Sequence, residues 1–367
     1  MRVLARFRIS ADLKEISRRS FILGTATACG ALLAGCNSSR EHSDPRQLNV
    51  YSWADYIHPD TVPEFEHRFG INVVYDTFSS NEALLAKMQA GATAYDIIVP
   101  SSYMVAQLRK LNVLAPIDHS RLPLLKNIMP RFQSPAYDPR LGYCVPYTWG
   151  TSGIGFNSSA FASKRDWPTD WDSFWDKKLA GRMTLLDDPR EAMGMALKRR
   201  GHSYNTHNTA AIQTAANDLI AQKPYIMCYT SDQDIIQLAA GDSLLAQAYS
   251  GDVYQAARSN PSIRYIIPRS GASLWVDNMC IPSTAPHIDN AYKWLNFILE
   301  PKIAAANARF TRYATPNQLA FDLVGDDLRT DANLYPSEQL LSKCDELGDV
   351  GKLIFLYDKL WTELKCT

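Results

Sequence analysis

The chain predicts an α/β fold built on mixed, mostly parallel sheets flanked by helices, and three observations predict it. Short β-type runs alternate with amphipathic helical segments from Leu48 onward, which is the pattern of βαβ units. The 367 residues are 46% hydrophobic and 21% charged, enough for one large domain or two lobes of about 100–200 residues each. Aromatic and acidic residues also recur where those runs end, and ligands collect outside the carboxyl ends of strands in open α/β sheets.

The elements follow in order. Leu48–Tyr51 reads as a strand that runs into Ser52-Trp53-Ala54-Asp55-Tyr56. Residues 61–69 read as an amphipathic helix stopped by Gly70, and residues 71–76 as a strand. Asn81 can cap a helix through Met88, and Tyr95–Pro100 is a buried strand that hands over to Ser101-Ser102-Tyr103. Val145–Asn157 carries three glycines and reads as a crossover strand to a second lobe, with glycine where backbones approach or bend. Residues 166–176 read as a surface helix with its preceding loop. Residues 182–187 read as a strand, followed by a helix with Asp188 as N-cap and Pro189 at its first position, through Arg199. Helices over 208–221 and 231–240 alternate with strands over 225–228 and 244–249, and Ser250-Gly251-Asp252 turns out of the last of these. Residues 263–267 and 274–279 are the last strong strands. Helices dominate from His287, with a break at 313–317 and a final helix over 353–364.

Residues 1–36 read as an export segment, not as part of the fold. Arg18-Arg19 lies in a pattern similar to a twin-arginine signal, and the uncharged stretch from Phe21 to Gly35 is too short for an ordinary membrane span. It ends in Leu33-Ala34-Gly35-Cys36, which resembles a lipoprotein cleavage box with Cys36 as the lipidated residue. Residues 37–47 read as a tether. Beyond Cys36 there remain 32 basic and 36 acidic side chains, a net charge of −4. That balance gives no support for nucleic-acid binding and suits a cationic ligand. Five cysteines remain beyond the export segment. Isolated buried thiols suit most of them, and a Cys344–Cys366 pairing stays open.

Catalytic motifs are scarce: there is no HExxH, no G-x-S-x-G, no phosphate-binding loop and no dinucleotide fingerprint. What recurs is Trp or Tyr close to Asp or Glu, at 53–56, 101–103, 188–191, 249–252, 275–277 and 313. Rings accept a cation and its methylenes, while a carboxylate accepts from its N–H groups. Carboxylates gathered in an aromatic cleft are costly unless a cation joins them. A flexible di- or triamine has that chemistry.

Four motifs together resemble one family: residues 51–56 (YSWADY), 96–103 (DIIVPSSY), 187–191 (DDPRE) and 313–317 (YATPN). The chain is similar over 48–367 to the periplasmic spermidine/putrescine-binding proteins of ATP-driven importers. The resemblance implies a two-lobed type II solute-binding fold. Its first lobe would take 48–150 and a return segment at 277–320, and its second 151–276 and 321–367. It implies that Trp53, Asp55, Tyr56, Ser101 and Tyr103 line one wall. Asp188 and Glu191 would hold the far ammonium, with Ser231 nearby. Trp275 and Asp277 would take the central or near amine, Tyr313 would close the site, and Asp252 matches a carboxylate of putrescine-type members. Tyr249 stands where a Trp is usual, and Leu347 where spermidine-type members have Gln. The resemblance implies no cofactor, metal or catalysis, and a monomer that serves separate permease and ATPase subunits. A ferric-iron binder of the same fold and a folded, exported enzyme are the alternatives.

Overall fold

The structure, a computed structural model, describes residues 44–91, 94–231 and 233–367. The twin-arginine pattern, Cys36 and most of the tether lie outside the described residues. Ten strands form one continuous mixed sheet: β1 (Gln47–Trp53), β2 (Asn72–Phe78), β3 (Ile97–Ile98), β4 (Cys144–Asn157), β5 (Met183–Leu185), β6 (Ile226–Tyr229), β7 (Leu245–Tyr249), β8 (Ile263–Ile266), β9 (Ser273–Cys280) and β10 (Asp345–Glu346). Their order is β2-β1-β3-β9-β4-β7-β5-β6, with β8 beside β4 and β10 beside β9. At the two wings the pairs β1–β2, β1–β3, β5–β6 and β5–β7 are parallel. In the middle, β9 and β4 are antiparallel to each other and to β3, β7 and β8. The sheet is therefore parallel at its wings, where helical crossovers return the chain, and antiparallel where long strands pass between the halves.

Two hydrophobic cores sit on these halves. The first gathers β1, β3, the start of β4 and the helices between Ile288 and Leu341, with Phe65, Trp294 and Phe297 fully buried. The second gathers the end of β4, β5, β7 and the helices Pro189–Arg199, Thr209–Gln222 and Ile354–Cys366. The chain passes between them in β4, in β9 and in the segment that begins with β10. Ala320, Val324, Leu328, Leu334 and Leu341 belong to the first core, where the short helices after Asn317 bury apolar sides, while Leu340, Cys344 and then Val350 pack on the second.

Local chemistry explains most element ends. The helix Thr61–Phe69 stops at Gly70, whose φ of 64° is the left-handed conformation that glycine adopts freely. The helix Asn81–Gln89 is capped by Ser80, not by Asn81; Ser80 Oγ accepts from Ala83 N, and Asn81 is buried against Ser101 instead. Residues 166–176 form short 3-10 turns and not a surface helix. Trp171 and Phe174 are fully buried there, and the Trp171 indole donates to the Gly271 carbonyl at 2.9 Å. The helix after Tyr229 begins at Asp234, which leaves Ser231 in the preceding loop. Ser250-Gly251-Asp252 is the first turn of a helix, Ser250–Ser259, that buries Val253 and Ala256. All five described cysteines are free, so Cys344 and Cys366 do not pair.

Candidate ligand-binding cleft

The site is laid out on the β4–β9 ribbon. Thr148 pairs with Asp277, Gly150 with Trp275, and Ser152 with Ser273. Side chains alternate along a strand, so Ser273, Trp275 and Asp277 share one face of β9. Four residue steps of about 3.3 Å put roughly 13 Å between the ends of that face.

Asp277 marks one end. The buried Tyr56 hydroxyl donates to its Oδ2, and the Ser101 hydroxyl donates to its Oδ1 at 2.6 Å. Burial pushes the Asp277 carboxyl up to about 6, against the pull of those two hydrogen bonds. Tyr56, Trp275 and Tyr313 form a buried aromatic cluster, with Trp53, Tyr147 and Tyr249 packed against it. Ring centroids are 5.5 Å apart for Tyr56–Tyr313, 5.0 Å for Trp275–Tyr313 and 6.0 Å for Tyr249–Trp275. The last two are near-perpendicular, the edge-to-face arrangement that aromatic quadrupoles favour. Two glycines admit these rings: a Cβ on Gly150 would lie 2.5 Å from the Trp275 ring, and one on Gly251 2.3 Å from the Tyr313 ring. The Tyr313 hydroxyl donates to Asp252 Oδ1 at 2.6 Å, and the Tyr147 hydroxyl donates to the Tyr56 carbonyl at 2.6 Å.

Glu191 marks the other end. Its Oε1 accepts from Ser152 Oγ at 2.9 Å, and Ser273 Oγ lies 2.9 and 2.8 Å from its two oxygens. Burial first, and then the charge of Asp188, push the Glu191 carboxyl up to about 8 against the serine hydrogen bonds. Asp188 caps the helix Pro189–Arg199, accepting at Oδ1 from the Arg190 and Glu191 amides at 2.7 and 3.1 Å. Burial raises its carboxyl too, while those amides oppose the rise. On the first-core side, the Tyr103 hydroxyl donates to Glu82 Oε1 at 3.0 Å. Glu82 is exposed, yet the protein around it and then Asp188 raise its carboxyl, which places the two acids within each other's field.

The structure thus brings Tyr56, Ser101, Asp252, Trp275, Asp277 and Tyr313 together at one end and Asp188, Glu191 and Tyr103 at the other, with Tyr249 between them, its ring on Trp275 and its backbone paired with Ser152. Trp53 edges the aromatic cluster, but its indole is already engaged with the Val99 carbonyl at 2.9 Å and its ring with Phe78 at 4.5 Å. Asp55 is exposed in a left-handed turn, φ 53°. Ser231 Oγ accepts from the Asp187 amide at 3.2 Å and so flanks Asp188 without touching its carboxyl. Sequence reasoning missed Tyr147, Ser152, Ser273 and Glu82. Period-two counting back from Asp277 and Trp275 reaches Ser273, and counting on from Gly150 reaches Ser152, so that signal was present. Nothing comparable marks Glu82.

Two cores joined by a paired ribbon, with rings and carboxylates spaced along its face, define a two-lobed solute-binding protein. Residues 60–335 match the family described as bacterial extracellular solute-binding protein, and the chain belongs to that family. It is 33% identical over 339 residues to the spermidine/putrescine-binding periplasmic protein of Salmonella typhimurium, covering 92% of this chain and 97% of that one. Among solved structures, a candidate spermidine/putrescine ABC transporter protein of Listeria monocytogenes superimposes with a TM-score of 0.82 at 36% identity, covering 87% of this chain and 99% of that one. The TpPotD lipoprotein of Treponema pallidum gives a TM-score of 0.78 at 31% identity, with coverage of 87% and 99%.

Proposed function

We propose that this protein captures putrescine and/or spermidine between its two lobes outside the cytoplasmic membrane and delivers it to an ABC importer. The carrying observation is the β9 face. A carboxylate, Asp277, stands at one end, a serine that holds Glu191 stands at the other, and the Trp275 ring lies between them. Ammonium groups at the two carboxylates would leave the connecting methylenes on the ring, a pairing of cation–π and charge-assisted hydrogen bonds. Relatives named for polyamines favour this reading over ferric iron. They equally favour a binding component over an exported enzyme.

The cleft residues from Tyr56 to Tyr313 form the inner part of this site, and Trp53 and Ser231 flank it. Among the described residues no helix is long and apolar enough to cross a membrane. As a binding component, the protein would leave translocation to permease and ATPase subunits. Attachment through a lipidated Cys36 accords with the leader pattern and with the Treponema relative being a lipoprotein. Mass spectrometry of a Cys36→Ala variant against the wild type reads this directly: both proteins without acyl mass would remove the anchor.

Calorimetric titration of residues 37–367 with putrescine and with spermidine tests the ligand class. One-to-one binding of either is the expected result. Absence of heat with both, at protein concentrations that reveal micromolar binding, would overturn it.

A further inference from the structure

A cavity of about 710 Å³ is lined in part by Tyr103. Its walls are the helix Ser102–Lys110, the residues Tyr137 and Tyr143, and the third crossing, Glu346–Asp349. Tyr103 therefore borders two spaces: its hydroxyl serves Glu82 in the cleft, and the residue also lines the cavity.

The charges lining the cavity are not all paired with one another. Lys110 is hydrogen-bonded to Asp349. Arg109 lies 3.6 Å from the fully buried Asp138, donates to the Tyr137 carbonyl and covers the Tyr143 ring at 5.0 Å. Each cation lining the space thus has its own anion. Glu346 differs. Its backbone carbonyl accepts from Asn205 Nδ2 at 2.7 Å, while the cation that most affects its side chain, Arg131, is already bound to Glu338 at 2.7 Å. Burial pushes the Glu346 carboxyl up to about 7 with only a partial offset from Arg131. Beside it, the Tyr137 hydroxyl donates to Asn278 Oδ1 at 3.1 Å. That fixes the phenol's polar end and leaves its ring to the wall.

We propose that this cavity is a second site for an alkylammonium group, with the Glu346 carboxylate as its anion and the rings of Tyr103 and Tyr137 as its walls. A half-buried carboxylate beside aromatic rings is stabilised by a cation that supplies N–H donors and an apolar stem. The ammonium has two possible sources. It belongs either to a second small amine or to the overhanging end of a long polyamine whose body lies in the cleft.

Equilibrium dialysis of the wild type, Glu346→Gln and Glu346→Asp with labelled putrescine and labelled spermine separates these. If the source is a second molecule, the wild type takes up a weak second equivalent of putrescine, which Glu346→Gln loses and Glu346→Asp retains. If the source is an overhang, spermine binds as one equivalent, about tenfold more weakly to Glu346→Gln, while putrescine is unaffected. In both cases the Glu346-dependent binding fades as pH falls through about 7. Equal stoichiometry and affinity of wild type and Glu346→Gln for both amines overturns the proposal. Should Glu346→Gln fail to fold, Ala106→Trp fills the same space from the helix and gives the same readout. The choice of probes rests on the cleft reading, but the two fail separately. Loss of the tight equivalent in the wild type sinks the cleft, and loss of Glu346 dependence sinks the cavity.

Discussion

The two ends of the cleft hold their carboxylates by different means. Asp277 is gripped by a phenol and a serine hydroxyl inside a box of rings. Glu191 is gripped by two serines on the ribbon and sits one turn into a helix whose N-cap, Asp188, is itself an acid. The helix N-terminus favours negative charge, yet the second carboxylate and the burial outweigh it, and Glu191 is pushed up to about 8 where Asp277 reaches about 6. At neutral pH one end is therefore a ready anion, and the other is a protonated acid that must ionise to meet a cation. In the proposed function the ring end would supply affinity directly, and the serine end would couple binding to a proton.

The largest test of that contrast is Asp277→Ala. It should cost about 2–5 kcal/mol of polyamine affinity, the range for removing one partner of a buried charge pair. Titration heats equal to wild type would show that Asp277 is not part of the site. Next comes Glu191→Gln, which should cost about 1.5–3 kcal/mol, as for a hydrogen bond to a charged group. The same variant should abolish proton release. Wild-type binding at pH 7 should expel nearly one proton, seen as a binding enthalpy that tracks the ionisation heat of the buffer. That release should shrink as pH rises through about 8. Buffer-independent enthalpy at pH 7 would erase the distinction between the two ends.

Stability sharpens it further. A carboxyl whose folded pKa is raised holds its proton more tightly in the native state. Its contribution is then complete below the ordinary value near 4.5 and is lost as pH climbs through about 8. Without ligand, the melting temperature should fall across that window, and Glu191→Gln should flatten the fall. An unchanged slope would mean that Glu191 ionises as readily folded as unfolded. The smallest expected effect is at the buried Leu347. Leu347→Gln should change the spermidine-to-putrescine affinity ratio by about 0.5–1.5 kcal/mol, one net hydrogen bond. An unmoved ratio would place length selection elsewhere.

Much of this was legible where chemistry is local. Asp188 and Pro189 announce the start of a helix that runs to Arg199, as the structure has it. Alternation announces β4 and β9, and the motif spacing announces the family. Legibility failed where tertiary packing decided. Ser250-Gly251 looks like a turn, but Val253 and Ala256 face the second core and draw the segment into a helix. Glycine at 251 serves the Tyr313 ring and not a bend. Likewise Glu191 could be read as acidic, but the serines that hold it come from strands 39 and 82 residues away. The wing strands read as parallel, whereas the antiparallel centre rests on partners that only the folded chain brings together.

The register of β4 against β9 shifts between Pro146 and Thr148, so Tyr147 is a supernumerary residue in the pairing. Its hydroxyl reaches the Tyr56 carbonyl, and the strand beyond it carries Gly150 and Ser152 on the ligand face. Losing or gaining a single codon there would turn every later side chain of β4 to the opposite face. Ser152 would leave Glu191, and a bulky neighbour would take the place of Gly150 against Trp275. A one-residue insertion or deletion within the ribbon would therefore dismantle the proposed site at every later position of β4 at once, whereas a substitution would alter one contact.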